Sequence, residues 1–150
     1  MKQRFDLDRK DWQILESLQA NARCTNTEIG KRIGLSQPAV TARIQRLEEA
    51  GIIEGYAARV NPKRVGAEIA AFIRLRAEHG ELAKYLKAFE RMPEIIEVYR
   101  MTGEECFLLK VVVYRMAELE GVIDRLIHFG AVTTSMVLAS YPSKPMRARA

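Results

Sequence analysis

Between Thr25 and Gly51 the chain starts, stops and restarts a helix in so few residues that one local arrangement dominates. Thr25-Asn26-Thr27-Glu28 reads as a capping box. In such a box the hydroxyl accepts from the N–H three residues on, and the carboxylate reaches back to the first N–H. Ile29 and Ile33, four apart, make a buried stripe, and Gly34 supplies a left-handed stop. After Leu35, Ser36 caps a third helix with Pro38 in its first turn, where a missing N–H costs nothing, and Gly51 ends it. A first helix starts after Asp8 as N-cap and runs to about Asn21, with Ile14, Leu15, Leu18 and Ala22 turned inward. A short helix, a tight turn and a longer helix make a helix-turn-helix.

A helix that enters the DNA major groove needs one apolar edge for its own domain and one polar edge for bases and phosphates. On the third helix Val40, Ile44 and Leu47 share an inward stripe, and Pro38, Thr41, Ala42, Gln45 and Arg46 lie opposite. Acid appears only at Glu48 and Glu49, in the last turn. Gln37, Thr41 and Gln45 suit base edges, because Gln pairs bidentately with adenine and Thr touches the thymine methyl. Ala42 lets the backbone come close, and Ser36 at the helix N-terminus suits a phosphate. Arg23, Lys31, Arg32, Arg43 and Arg46 are candidate phosphate clamps, of which Arg43 lies nearest the buried edge and is equally suited to bracing the domain. An ordinary amphipathic helix with a solvated face has the same polarity. The assembly of capping box, Gly34 turn, Ser36-Gln37-Pro38-Ala39 and Gly51 stop is what favours double-stranded DNA as partner.

The net charge of +5 and pI of about 9.4 permit such a polyanion without requiring it. The N-terminal residues lack the apolar stretch of a secretory signal, and the longest apolar run, Phe107 to Tyr114, is too short to cross a bilayer. A cytoplasmic, nucleoid-associated protein with no membrane contact is expected. Cys24 and Cys106 stand far apart with no CxxC or clustered histidine, which suggests reduced thiols and neither metal nor cofactor. His79 and His128 have no Ser, Cys or Asp at triad spacing, and no glycine-rich phosphate loop occurs, so an enzyme is not expected.

Leu7-Asp8, Asp11, Ile14-Leu15, Leu18-Gln19 and Asn21-Ala22-Arg23, followed by Leu35-Ser36, Ala39-Val40, Arg43-Ile44, Leu47-Glu48 and Gly51-Ile52-Ile53, resemble the Lrp/AsnC family of bacterial and archaeal regulators. Gly55-Tyr56-Ala57-Ala58-Arg59-Val60-Asn61-Pro62, leading to Gly66, is similar to the strand that links that family's two domains. The expected organisation is therefore α+β: a winged-type helix-turn-helix over 1–57, a linker strand over 58–66 and a second domain over 67–142. A basic, solvated tail follows over 143–150, at most an auxiliary DNA contact.

Beyond Gly66 the pattern itself gives a strand (68–77), a helix (81–91), strands (95–102 and 106–114), a helix (117–129) and a last strand (133–141). That order, βαββαβ, is the ferredoxin-like arrangement of an antiparallel sheet with two helices on one face. Gly103 sits in the turn between the middle strands, where positive φ is needed. Phe107, Leu109, Val111 and Val113 point one way, while Leu108, Val112 and Tyr114 point the other; in the last strand Val137 and Ala139 oppose Met136 and Leu138. Two helices cover one face only, so a second copy packed sheet to sheet is expected on the other.

The resemblance implies the same homodimer, assembled further into tetramers or octamers. It also implies an amino-acid effector held between dimers by Met101, Thr102, Gly103, Glu104 and Glu105 with Thr133, Thr134 and Ser135. Many members carry Asp three residues after the turn glycine; here Cys106 stands there, with Glu104 or Glu105 as shifted substitutes. The function implied is a sequence-specific transcriptional regulator tuned by an amino acid or related metabolite. The alternative is an architectural DNA-binding protein with little effector response.

Overall fold

A computed structural model describes residues 6–77 and 81–148. The chain divides into two compact units, one formed by residues up to 58 together with those from 142 onward, the other by 59–141.

The first unit is built on α1 (Arg9–Ala20), α2 (Asn26–Ile33) and α3 (Gln37–Glu49). Each helix begins at a side-chain cap. Asp8 and Asp11 form a reciprocal box on α1, Thr25 and Glu28 another on α2, and the Ser36 hydroxyl accepts from the Ala39 N–H on α3. Gly34, at φ 72, closes α2 in the left-handed conformation. Ile14, Ile29, Ile33, Val40, Ile44 and Leu47 form one core, against which Leu15, Leu18, Leu35, Ile52 and Ile53 pack. Ala22, expected inward, is exposed: α1 ends at Ala20, and the turn that follows takes Ala22 off the helical stripe. Residues 58–66, expected as a linker strand, pair with no strand among the described residues. They are irregular to Asn61 and then form a 3-10 turn, Pro62–Val65, capped by the Asn61 side chain.

The second unit runs β1 (Ile69–Ala77), α4 (Leu82–Glu90), β2 (Ile95–Arg100), β3 (Phe107–Val113), α5 (Met116–Ile127) and β4 (Gly130–Met136). All pairings are antiparallel, in the order β2-β3-β1-β4, as a ferredoxin-like sheet requires. His79 lies outside the described residues, and His128 is the C-cap of α5. Ala71, Ile73 and Leu75 of β1 and Phe107, Leu109, Val111 and Val113 of β3 face the helices and are fully or almost fully buried. Tyr85 and Phe89 of α4 meet Phe107 and Phe129 edge to face, with ring centroids 5.3–6.3 Å apart.

The last strand differs from expectation. It begins at Gly130 and ends at Met136, because pairing with Ala77 through Ala71 sets its register; Leu138 and Tyr141 lie beyond it and are exposed. Its uncovered face therefore carries Ala131, Thr133 and Ser135, not an apolar row. The apolar part of the open face belongs to Phe72 of β1, Leu108 and Val112 of β3 and Tyr99 of β2, around a Glu97–Lys110 ion pair at 2.7 Å.

Candidate nucleic-acid interface and ligand segment

The outward edge of α3 follows from its inward one. With Val40, Ile44 and Leu47 buried, Gln37, Pro38, Ala42 and Gln45 are left exposed. The first turn contains no acid. The Gln45 side chain has no hydrogen bond or ion pair among the described residues, so its amide can offer a donor and an acceptor to a base edge.

Thr41 is differently placed. Its hydroxyl donates to the Gln37 carbonyl oxygen at 3.0 Å and accepts from Asn26 Nδ2 at 2.9 Å and Gln37 Nε2 at 3.1 Å. A hydroxyl with one donor and two acceptor sites is then fully used, leaving Thr41 only its methyl for a thymine. Asn26, which the sequence reading passed over, thus ties the first turn of α2 to α3.

The basic residues divide as well. Arg23 and Lys31 are exposed and make no ion pair among the described residues. Arg32 Nη1 donates to the Ser17 hydroxyl at 3.4 Å. Arg43, expected as a phosphate clamp or a brace of the domain, and Arg46, expected as a phosphate clamp, converge on α1: Arg43 Nη1 lies 2.7 Å from both Asp8 Oδ2 and Asp11 Oδ1, and Arg46 Nη2 lies 2.7 Å from Asp11 Oδ2. Asp11 is fully buried and accepts the Asp8 backbone N–H as well, at 3.1 Å. Asp8 is held below the usual carboxylate range, first by the Asp11 N–H that it caps and then by Arg43. Lys10 Nζ donates to the Ile33 carbonyl at the end of α2. Consecutive residues of α1 therefore brace both later helices. Asp8 alone is legible in the sequence as an N-cap; nothing there announces that Asp11 meets two arginines more than thirty residues away.

Past α3, Tyr56 donates to Glu48 Oε1 at 2.8 Å, and burial followed by that carboxylate pushes its phenol up to about 12. At the C-terminal end, Gln19 exchanges two hydrogen bonds with the Met146 backbone, at 2.8 and 3.0 Å, while Lys144 and Arg147 remain exposed.

In the second unit the turn after β2 closes through a bond from the Met101 N–H to the Cys106 carbonyl oxygen at 2.8 Å, with Gly103 at φ 105. Thr102, Gly103 and Glu104 are exposed, while Met101 and Glu105 are half-buried. Glu104 pairs with Arg76 at 3.1 Å and Glu105 with Arg74 at 3.3 Å. Thr133 lies opposite Arg74 and Ser135 opposite Phe72, on the open face, whereas Thr134 lies opposite buried Ile73 and faces the helices. The strand's two-residue period thus separates Thr134 from its neighbours. Cys106 Sγ lies 3.7 and 3.9 Å from the carbonyl oxygens of Leu75 and Ala77. Among the described residues no group of His, Cys, Asp or Glu is arranged to hold a metal ion, and no helix is long and apolar enough to cross a membrane.

The two units correspond to two known domain types. The winged helix-turn-helix DNA-binding model matches residues 7–54, and the Lrp/AsnC ligand binding domain model matches residues 70–146. The HTH-type transcriptional regulator YezC of Bacillus subtilis is 36% identical over 140 residues, which cover 93% of this chain and 99% of that one. LrpC of the same organism superposes with a TM-score of 0.87 at 26% identity, over 93% of this chain and 100% of its own. A transcriptional regulator from Neisseria meningitidis, solved as a complex with L-Met, superposes with a TM-score of 0.84 at 30% identity, over 96% of this chain and 97% of its own. With both domains matched in order and along nearly the whole chain, the protein belongs to the Lrp/AsnC family of transcriptional regulators.

Proposed function

We propose that this protein is a sequence-specific DNA-binding transcriptional regulator that works as a homodimer or larger assembly and responds to an amino acid or a related metabolite. The observation that carries the DNA reading is the outward edge of α3. Gln37, Ala42 and Gln45 stand exposed, free of acid in the first turn, on a helix clamped to α1 and α2. Phosphate contacts then fall to Arg23, Lys31 and Ser36 with the helix N-terminus. Dimerisation is supported by the open sheet face, where Phe72, Leu108 and Val112 are half-buried and Tyr99 is exposed in a single copy.

An effector reading is supported by the strip formed by Glu105, Arg74 and Thr133. A zwitterion offers a carboxylate to Arg74 and the Thr133 hydroxyl and an ammonium to Glu105. The relative solved with L-Met supports an amino acid as the chemical class. The architectural alternative draws on the same ion pairs, because Glu104 and Glu105 already have arginine partners and Cys106 brings no charge.

Selection from a pool of randomised duplexes, with and without each amino acid at millimolar concentration, tests the whole reading. The expected result is a retained motif whose affinity shifts about five- to 150-fold with one amino acid. A motif indifferent to every amino acid supports the architectural alternative. A retained pool identical to the input refutes sequence-specific reading and leaves the architectural alternative, and a protein that retains no duplex refutes both.

A further inference from the structure

Among the described residues, Asp11 is the one charged side chain that is fully buried, and two arginines of the DNA-facing helix converge on it. We propose that Asp11 is a positioning residue for recognition: by drawing Arg43 and Arg46 onto one buried carboxylate, it weakens the indiscriminate attraction of α3 for phosphate and fixes the rotation that presents Gln45. This rests on the reading that α3 contacts duplex DNA.

The chemistry starts from desolvation. A carboxylate taken out of water is tolerated only when paired and hydrogen-bonded, and Asp11 meets that condition with three donors: the Asp8 N–H, Arg43 and Arg46. With Asp8 also on Arg43, the group holds two positive and two negative charges and is neutral as a whole. An arginine already balanced by a carboxylate has less charge to give to a phosphate, and it is the number of phosphates neutralised that sets how steeply affinity falls with salt. The geometry supplies the second effect. Residues 43 and 46 are separated by about 60° around a helix, and residue 45 lies roughly 130° from the direction midway between them. Gripping α3 at Arg43 and Arg46 therefore turns Gln45 outward.

The test is the salt dependence of binding to a random-sequence duplex and to a selected one, between about 50 and 200 mM salt. It compares the intact protein with Asp11→Asn, Asp8→Asn, Arg46→Ala and Asp11→Asn/Arg46→Ala. Asp11→Asn is expected to bind the random duplex more tightly, with a slope steeper by about one, and to discriminate less between the two duplexes. Asp8→Asn keeps its N-cap and is expected to move the same way by less. In the Arg46→Ala background, Asp11→Asn is expected to lose most of its effect on the slope. A folded Asp11→Asn that binds both duplexes less tightly with the parental slope shows a structural role only and overturns the proposal. Should Asp11→Asn fail to fold, an Asp8→Asn variant with parental slope and discrimination overturns it instead. A parent that binds neither duplex even at low salt overturns the underlying DNA reading as well, whereas a binding parent with unresponsive variants overturns this inference alone.

Discussion

Asp8 has two tasks that a single substitution separates. It caps α1 through the Asp11 N–H at 2.8 Å, and it pairs with Arg43 at 2.7 Å. Both hold its carboxyl below the usual value, the cap more than the arginine. A group whose folded value is depressed stabilises the fold above its unfolded value and loses that contribution as pH falls. Asn caps as well as Asp but does not titrate. The stability difference between the protein and Asp8→Asn, from urea unfolding, is therefore expected to be constant above about pH 5 and to shrink below about pH 4. A difference that does not change over that range contradicts the account of Asp8. At this scale the sequence was legible where partners are local, as with the Thr25–Glu28 box or the Val40, Ile44 and Leu47 stripe. It was silent on Asp11 and on the Asn26–Thr41 bond, whose partners meet only once α1, α2 and α3 have packed.

Between the helices of the first unit, the sharpest constraint is Gly30. Its carbonyl accepts the Leu35 N–H at 2.9 Å, and a Cβ on Gly30 would stand 2.5 Å from the Leu35 carbonyl oxygen. Gly30→Ala sets two effects against each other. Alanine favours a helix interior by about 1 kcal/mol, while forcing a tightly packed backbone apart costs about 1–3 kcal/mol. The clash is with the backbone of a residue whose own N–H is bonded to the Gly30 carbonyl, so the second effect is expected to win. Gly30→Ala should unfold at lower urea and bind all duplexes less well, since the angle between α2 and α3 opens. A variant at least as stable as the parent would contradict this packing account. The boundaries of elements were less legible than their order. The run Thr133–Tyr141 reads as a strand by composition, yet only pairing with β1 decides that the strand is Gly130–Met136. That register also sends Thr134 to the helix side, which composition does not reveal.

For the whole molecule, the βαββαβ order and the preceding three helices were readable because the period of apolar residues changes from helical to mixed near residue 57. What one copy leaves unfinished is the open face, with Phe72, Leu108 and Tyr99 beside the Glu97–Lys110 pair. In the proposed homodimer a second copy related by a two-fold axis would cover that face and supply a second α3, so each substitution on α3 is expected to act twice, at symmetric base positions. The most direct measurement of base reading by α3 is therefore the position-by-position base preference of the intact protein and of Gln45→Ala, taken from the same randomised duplex pool. The parent is expected to retain a two-fold-symmetric motif with half-sites about one helical turn, or a multiple of it, apart. Gln45→Ala is expected to lose preference at one position in each half-site, worth about 1–3 kcal/mol per contact, with the other positions unchanged. A uniform loss of affinity with the parental preferences intact would contradict the claim that this edge of α3 reads the bases.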